Sequence, residues 1–369
     1  MVGRWAVSDL IYLDHAATTP LRPEARLAMD EGFAIWANPS SPHAVGRKAR
    51  AALEEAREQV LDLLEWDGEL IFTSGASEAA AIALRRANGS ERFVSAVEHE
   101  AVLAAAPGAP RLAVGPNGEV DEDRLAAALA KAKAPVVAIQ WFNSETGVQQ
   151  DLGNLVECVH DAGGLLICDV AQSVGKYPLP HDVDMAFFSA HKFGGPVGVG
   201  ALLVREFEML APAGGQERGY RRGTENLPGV LGMAAALEAC GRPWKGGGSP
   251  GHEVFVSVER FAAEVRSAGG VWYHDRQEAS SGYINAVAMP GLSGASQLMR
   301  FDLAGIAVSQ GSACSSGSMR RSHVLEAMGV EPELADRTIR MSLGWTTTVA
   351  EIERFAEVWL AMAAQANAA

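Results

Sequence analysis

ELIFTSGASEAAAIALRRA, residues 69–87, changes its pattern in the middle. Residues 70–73 form a short apolar and β-branched run, which is typical of a strand in a sheet that is covered on both faces. Gly75 then ends the run, and the alanine-rich stretch after it favours a helix. The segment therefore predicts a strand that leads directly into a helix.

The same alternation continues on both sides of this segment. Short apolar runs predict further strands, and helical spacing of apolar residues predicts helices between them, as in 47–64. The strands are predicted at 92–97, 135–142, 165–170, 184–189 and 200–204. Strand–helix alternation over about 200 residues predicts an α/β fold with a mostly parallel central sheet covered by helices.

The most linker-like stretch of the chain is GRPWKGGGSPG at 241–251. The pattern after it predicts a helix at 253–268, strands near 283–289 and 338–343, and a last helix at 349–364. We therefore expect a large domain at 15–240 and a smaller α+β domain formed by 1–14 and 252–369.

The composition is that of an ordinary globular protein, with 369 residues, 48% hydrophobic and 21% charged. A formal net charge of −14 argues against direct binding of nucleic acid or of an anionic membrane. The N-terminal segment lacks the pattern of a signal peptide, and no apolar run approaches the roughly 20 residues of a membrane span. We expect a cytoplasmic location.

The cysteines are too far apart in sequence for a CxxC-type zinc site, and too few for a disulfide framework. They are Cys158, Cys168, Cys240 and Cys314. We expect reduced thiols, mostly buried, and no metal site.

Cys314 departs from this expectation because of its neighbours. It lies in SQGSACSSGSMRRSHVL, residues 309–325, where serine, glycine and alanine leave little apolar surface to pack in a core. An exposed cysteine on a mobile loop fits this composition better than a buried, inert one. Arg320 and Arg321 would favour its thiolate form.

A lysine follows directly after a predicted strand in DMAFFSAHKFGGPVGVG, residues 184–200. Lys192 could be a strand-end residue in solvent, or an amine whose partial desolvation makes it nucleophilic and suited to a Schiff base. The glycines after it permit close approach of a bulky ligand. Ser189 and His191 supply donors suited to a phosphate group.

Three further segments end predicted strands with polar residues. Asp169, in CDVAQSVGK, is either a helix N-cap or a carboxylate that pairs with a pyridinium nitrogen. In TSGASE, the backbone N–H groups of Ala76 and Ser77 begin a helix and could bind an anion. His99, in VEHEAVL, is either structural or an imidazole that stacks on a cofactor ring and transfers protons.

Together these segments resemble the class V pyridoxal-phosphate family and, within it, the NifS/IscS-type cysteine desulfurases. The resemblance covers nearly the whole chain, in the family's order, and includes YLDHAATTP, NSETGV, DVAQSVGK, SAHKFGGPVGVGAL, GGQERGYRRGTENLPG and GIAVSQGSACSSGS. It implies pyridoxal-phosphate fold type I. It also implies conversion of L-cysteine to L-alanine, with transfer of the sulfur to an enzyme cysteine as a persulfide.

The resemblance further implies a role for each matching residue. Lys192 would hold pyridoxal 5′-phosphate as a Schiff base and Cys314 would carry the persulfide. The remaining roles are ring-nitrogen partner for Asp169, ring stacking for His99, ring-hydroxyl binding for Gln172, phosphate binding for Ala76, Ser77, Ser189, His191 and Thr224 of the partner subunit, and substrate-carboxylate binding for Arg340. Ser144 stands where the family usually has the asparagine that faces the cofactor, and its shorter hydroxyl would reach the ring oxygen through water. Asn143 would compensate, and it is expected to bind the substrate.

The partners implied by the resemblance are a second copy of the chain and a sulfur acceptor, either an iron–sulfur scaffold or a tRNA-thiolation protein. A selenocysteine lyase or another class V enzyme, such as an aminotransferase, is the alternative within the family. An aminotransferase has no use for a thiol on a serine- and glycine-rich loop. A cofactor-free binding protein is the alternative outside enzymes, and we would expect it to lack Lys192 or Asp169.

Overall fold

The computed structural model describes residues 10–240, 250–311 and 321–368. These residues form two compact units. The larger unit comprises Thr18–Asn143 and Gln149–Arg242, and the smaller comprises the described residues within Met1–Ala17, Ser144–Val148 and Pro243–Ala369.

This division differs in detail from the expected one. The larger unit begins at Thr18 rather than at residue 15, and Ser144–Val148 belongs to the smaller unit although it is surrounded in sequence by the larger one. The expected linker at 241–251 falls mostly outside the described residues, so that boundary stays a prediction.

The strands of the larger unit run from β2 to β8 and those of the smaller unit are β1 and β9 to β12. In chain order they are β1 Ile11–Tyr12, β2 Glu69–Thr73, β3 Glu91–Ser95, β4 Arg111–Leu112, β5 Pro135–Gln140, β6 Leu165–Asp169, β7 Met185–Ser189, β8 Gly200–Val204, β9 Val271–Trp272, β10 Ile284–Ala288, β11 Ile306–Ala307 and β12 Thr338–Ser342.

The α-helices alternate with these strands in the larger unit and pack beside the short sheets of the smaller one. They are α1 Pro23–Ile35, α2 Ala44–Leu63, α3 Ala76–Arg86, α4 Glu100–Ala105, α5 Glu122–Leu129, α6 Leu152–Asp161, α7 Leu227–Cys240, α8 Pro250–Ser267, α9 Gly294–Leu303, α10 His323–Ala327, α11 Pro332–Asp336 and α12 Val349–Ala368.

The larger unit is built on one seven-stranded sheet in the order β2-β8-β7-β6-β5-β3-β4. Only β8 runs against its neighbours β2 and β7, and the other adjacent pairs are parallel. The predicted α/β class with a mostly parallel central sheet is therefore confirmed. Parallel strands end at one edge of a sheet, so the carboxyl ends of β6 and β7, at Asp169 and Ser189, are neighbours.

Apolar side chains cover this sheet on both faces. All six residues of β5 and all five of β7 are buried, which explains why these strands are continuously apolar rather than alternating. One apolar cluster contains Phe72, Val137 and Phe188, and the other contains Ile71, Val136 and Phe187. The side chains of each strand thus alternate between two apolar layers.

The smaller unit contains a three-stranded antiparallel sheet in the order β12-β10-β9 and a parallel pair formed by β1 and β11. Its two long helices pack through aromatic rings. The ring centroid of Phe261 on α8 lies 5.2 Å from that of Phe355 and 5.6 Å from that of Trp359, both on α12. In the described part of the chain, no helix is both long and apolar enough to span a membrane.

Candidate active site

The start of α3 presents backbone donors next to the end of β7. Gly75 occupies the N-cap position without a side-chain cap, and the Ala76 N–H donates to the Ser189 hydroxyl at 2.7 Å. Because that oxygen already accepts a bond, its single hydrogen is oriented away from Ala76. Ser77 follows on the exposed side of the same turn. These groups form the donor set that an anion needs at a helix N-terminus.

Gly75 permits the close approach on which this arrangement depends. Its φ of +150° is one that side-chain-bearing residues rarely adopt, and an added Cβ would lie 3.2 Å from the Ser189 oxygen. The glycine that ends the strand pattern in the sequence is thus needed for the contact between α3 and β7.

Asp169 and Lys192 lie at the ends of adjacent strands and influence each other electrostatically. Burial raises the pKa of Asp169 to about 6, while the Ala171 N–H, at 2.9 Å, and the positive charge of Lys192 lower it. Lys192 lies in a short 3-10 helix that directly follows β7 and is partly buried. A carboxylate with a raised pKa gains free energy from an additional cation.

Glu98 is a second buried carboxyl near Asp169, and the sequence did not single it out. Its side chain is fully buried, and one oxygen accepts the Gln140 N–H at 2.6 Å. Burial, and then the charge of Asp169, hold the pKa of Glu98 well above its ordinary value. Burial thus disfavours the charged form of Glu98, and with it a second negative charge beside Asp169.

The two predicted histidines have defined orientations. Nδ1 of His99 accepts the Ala101 N–H at 3.1 Å as the N-cap of α4, so the neutral ring carries its proton on Nε2. Nδ1 of His191 lies 3.2 Å from the Thr18 hydroxyl. Burial, and then the charge of Lys192, lower the pKa of His191 to about 4, so it is neutral at physiological pH.

Gln172 and Thr224 differ in their surroundings. Gln172 is buried beyond the end of β6, whereas Thr224 is exposed in the loop between β8 and α7. A fully buried ion pair anchors this loop, because Arg57 of α2 donates to both carboxylate oxygens of Glu217, at 2.8 and 3.2 Å. The sequence did not predict this anchor.

Arg340 of β12 is buried in the smaller unit and held from two sides. One terminal nitrogen donates to the Ser144 carbonyl at 2.8 Å, and the other donates to Asp14 at 2.6 Å. Its Nε is buried and has no hydrogen-bond partner among the described residues. Two of the three guanidinium nitrogens are thus fixed by the protein, and the third is a donor suited to a carboxylate ligand.

Asn143 and Ser144 are consecutive in the sequence but make different contacts. The Asn143 side chain is buried and donates to the Val97 carbonyl at 3.2 Å, within the larger unit. Ser144 contacts Arg340 through its main-chain carbonyl, so that contact does not depend on its side chain. The expected contacts of Asn143 with substrate and of the Ser144 side chain with a cofactor stay predictions.

A cavity of about 340 Å³ lies in the smaller unit next to Arg340. Its lining includes Glu145, Gln310 and Ser322. The Ser322 hydroxyl donates to Glu145 at 2.5 Å, and burial raises the pKa of Glu145 while this hydrogen bond, His323 and Arg340 lower it. Polar groups therefore surround the arginine from several elements.

The cysteines differ in exposure. Cys314 lies outside the described residues, so its predicted exposure and mobility stay predictions. Cys168 is fully buried in β6, and Cys158 is partly buried on α6. Burial raises the pKa of both thiols, which disfavours the thiolate needed for nucleophilic attack.

Comparison with known proteins identifies the family. The family model for aminotransferase class-V matches residues 11–355. A cysteine desulfurase of Cereibacter sphaeroides is 39% identical, with 95% of each chain covered, and one of Klebsiella pneumoniae is 40% identical, covering 93% of this chain and 90% of its own. A solved NifS-like protein of Rickettsia africae has a TM-score of 0.83 at 28% identity, covering 95% of this chain and 98% of its own. This chain belongs to the class V aminotransferase family.

Proposed function

We propose that this protein is a cysteine desulfurase that converts L-cysteine to L-alanine and passes the sulfur to Cys314 as a persulfide. The observation that carries the proposal is the positive charge of Lys192 acting on Asp169, together with the start of α3, where the Ala76 N–H donates to the Ser189 hydroxyl. The cysteine desulfurases among the relatives, at 39% and 40% identity over most of the chain, support the choice within the family.

The residues of the larger unit fit pyridoxal 5′-phosphate. The N–H groups of Ala76 and Ser77, with the Ser189 hydroxyl, would bind the phosphate, since this is the donor set at the start of an 11-residue helix. Asp169 would pair with the protonated ring nitrogen, and Lys192 would hold the cofactor through its amine. The bound cofactor supplies an electron sink for the substrate's α-carbon.

His191, Gln172 and His99 would complete this cofactor site. His191 is neutral because its pKa is lowered, but a neutral imidazole keeps one ring N–H. That N–H can donate one hydrogen bond to a phosphate oxygen. Gln172 would bind the ring hydroxyl. His99, which carries its proton on Nε2, would stack on the ring and donate or accept a proton there.

Arg340 would bind the carboxylate of cysteine. Its Nε is the buried donor that lacks a described partner, and a guanidinium edge matches a carboxylate in a bidentate fashion. Ser144 and Asp14 would keep the guanidinium in place through the other two nitrogens. Asn143 is proposed to act at the same substrate.

Cys314 would accept the sulfur. Its thiolate attacks the sulfur of cysteine, an S–S bond forms, and the bond between Cβ and sulfur breaks with its electron pair left on the carbon fragment. Protonation of that fragment gives alanine. Cys158 and Cys168 are poor substitutes because burial raises the pKa of both thiols.

The proposal extends to partners and location. Thr224 is exposed, which suits a residue that reaches the phosphate in the partner subunit of a homodimer. We propose a cytoplasmic enzyme that delivers its sulfur to an iron–sulfur scaffold or a tRNA-thiolation protein. Neither nucleic acid nor membrane is proposed as a direct partner.

The test begins with the visible spectrum of the purified protein, before and after addition of cysteine. We expect a yellow protein whose band shifts with cysteine, and alanine and sulfide as products. After brief exposure to cysteine, mass spectrometry should find about 32 Da of added sulfur on the peptide that contains Cys314. Cys314→Ser should keep the colour and the spectral shift but lose the added mass.

Cys158→Ser is the matched control, because it removes a thiol that is only partly buried. It should retain both the persulfide and the activity. Full desulfurase activity in Cys314→Ser, or a persulfide that maps to another cysteine, would replace the proposal by a selenocysteine lyase or an aminotransferase.

A further inference from the structure

Glu98 is a buried carboxyl of the larger unit to which the proposed reaction gives no role. It directly precedes His99, the N-cap of α4, and it bonds to the last residue of β5, Gln140. Asp169 is the register partner of Gln140 on β6. Glu98 is thus connected on one side to the proposed ring-stacking residue and on the other to the proposed partner of the ring nitrogen.

The bond from Glu98 to β5 continues a strand contact that has ended. β3 and β5 pair in parallel, and the last pair of their register is Val94 with Ala138. Gln140 lies two residues further along β5, where it is buried and where the register of β3 no longer reaches it. The Glu98 carboxyl accepts the main-chain N–H of Gln140 at 2.6 Å. Because a buried main-chain donor that loses its acceptor is costly, this oxygen holds the end of β5 in place.

Val97 joins the same two segments through its main-chain carbonyl. That oxygen accepts from the Gln140 side chain at 2.6 Å and from the Asn143 side chain at 3.2 Å. Val97 and Glu98 are both buried, so these bonds are protected from water. The stretch from Val97 to His99, between β3 and α4, is therefore tied to the end of β5 by both carbonyl and carboxyl oxygens.

The end of β5 is joined in turn to Asp169. The Trp141 N–H donates to the Asp169 main-chain carbonyl at 3.0 Å, and the parallel pairing of β5 with β6 extends to Gln140 and Asp169. His99 and Asp169 lie on separate elements of the larger unit. Glu98 and the end of β5 provide a hydrogen-bonded connection between them.

We infer that Glu98 is a positioning residue for the cofactor, because it holds His99 at a fixed place relative to Asp169. This inference rests on the proposed function, since it takes both residues to contact one pyridinium ring. Groups that contact a bound ligand must be held to within fractions of an ångström, and buried hydrogen bonds behind them supply that support. Burial holds the pKa of Glu98 well above its ordinary value, which favours an uncharged side chain here. The connection therefore needs an acceptor oxygen and not a charge.

Glu98→Met tests the inference, because methionine has a similar length but offers no oxygen. We expect the dissociation constant of pyridoxal 5′-phosphate, measured by absorbance titration, to rise about 5- to 50-fold, since a buried N–H loses its acceptor. We also expect a weaker visible circular dichroism band of the bound cofactor, because its ring is oriented less firmly. Glu98→Gln keeps an acceptor oxygen, and it should remain within about twofold of the wild type in both measurements.

Glu91→Met is the matched control. Glu91 also accepts a main-chain N–H, that of Lys133 at 2.9 Å, but it is exposed and lies at the opposite end of β3. Its replacement should leave the affinity and the dichroism unchanged. Gln140→Met provides a second route if Glu98→Met does not fold. It removes the side-chain bond to the Val97 carbonyl and should weaken cofactor binding in the same direction.

A readout without cofactor separates this inference from the proposed function. In the cofactor-free protein, hydrogen exchange at the Gln140 amide, measured by mass spectrometry with fragmentation, should be at least about fivefold faster in Glu98→Met. Glu98→Gln and Glu91→Met should exchange there like the wild type. If the wild type does not bind pyridoxal 5′-phosphate, the proposed function fails, and the role of Glu98 toward the cofactor fails with it.

With a wild type that binds the cofactor, three results would overturn the inference alone. The first is wild-type affinity and dichroism in Glu98→Met, even if that variant is less stable in urea, since this would leave Glu98 a structural role only. The second is an unchanged exchange rate at Gln140 in Glu98→Met. The third is a loss of affinity in Glu98→Gln as large as that in Glu98→Met, which would mean that the charge and not the acceptor oxygen matters.

Discussion

Replacement of Asp169 by asparagine should stabilise the cofactor-free protein while weakening its affinity for the cofactor. Burial raises the pKa of this carboxyl from 3.8 to about 6. The folded protein therefore keeps Asp169 ionised at neutral pH only at a free-energy cost. Asparagine has the same shape and can still accept the Ala171 N–H, so the substitution removes the cost without removing the contact.

The size of the effect follows from the difference in pKa. About two units, at about 1.4 kcal/mol each, give up to about 3 kcal/mol at pH values well above 6. Because the folded-state pKa is raised, the cost is absent well below pH 4. It grows as the pH rises from about 4 to about 6 and is constant above that range. At about pH 5 it should be about half of its full value.

Urea denaturation of the cofactor-free proteins measures this difference directly. At about pH 7.5, Asp169→Asn should raise the free energy of unfolding by up to about 3 kcal/mol, and at about pH 5 by about half as much. Titration with pyridoxal 5′-phosphate should show a large loss of affinity in the same variant. Asp151→Asn is the matched control, because it changes an exposed N-cap of α6 to an equally good one and should leave stability unchanged.

Two results would refute this reasoning. Equal stability of Asp169→Asn and the wild type at about pH 7.5 would mean that the carboxylate is not strained by burial. An advantage that does not change with pH would mean that the substitution acts through packing rather than through ionisation.

Substitutions at three further positions test the contacts described above. Asp14→Ala should raise KM for cysteine about tenfold, since Arg340 would lose the carboxylate that aligns it. Asp14→Asn should have a smaller effect. A fall in KM would show that Asp14 competes with substrate instead. Arg57→Met should lower the free energy of unfolding, measured in urea, by about 3–5 kcal/mol, because it leaves Glu217 buried without its cation. A loss below about 1 kcal/mol would contradict this expectation. Gly75→Ala should weaken cofactor binding, measured by absorbance titration, because alanine rarely adopts a φ of +150° and its Cβ would lie 3.2 Å from the Ser189 hydroxyl oxygen. An unchanged affinity would contradict the role proposed for the start of α3.

The sequence predicted the strands of the larger sheet better than their ends. The apolar run 135–142 predicted a strand of that length, whereas β5 ends at Gln140. The run continues through Trp141 and Phe142 because these rings pack against Tyr177, with Phe142 stacked on it at 4.7 Å. An apolar run indicates which residues are buried, and the buried residues extend beyond the end of the hydrogen-bonded strand.

The sequence also indicated functional residues at the ends of strands, but it did not indicate which residues they contact. Asp169 and Lys192 were recognisable because each polar residue interrupts an apolar pattern. The partners of Arg340 were not, since Asp14 is separated from it by 326 positions. Glu98 carries no signal at all, because a glutamate at the end of a strand is ordinarily solvated and only the structure shows that it is buried.

The carboxylates that are buried or partly buried fall into structural and functional acids. Glu217 and Asp14 each bond directly to a guanidinium, of Arg57 and Arg340, so their charges are compensated within the chain. Asp169 accepts one backbone N–H, and its raised pKa shows that this bond and the charge of Lys192 do not offset its burial. A carboxylate in that condition gains most from a cation that arrives from outside the chain, and a protonated ring nitrogen is such a cation. The free-energy cost at Asp169 is thus the physical basis on which the cofactor would be selected.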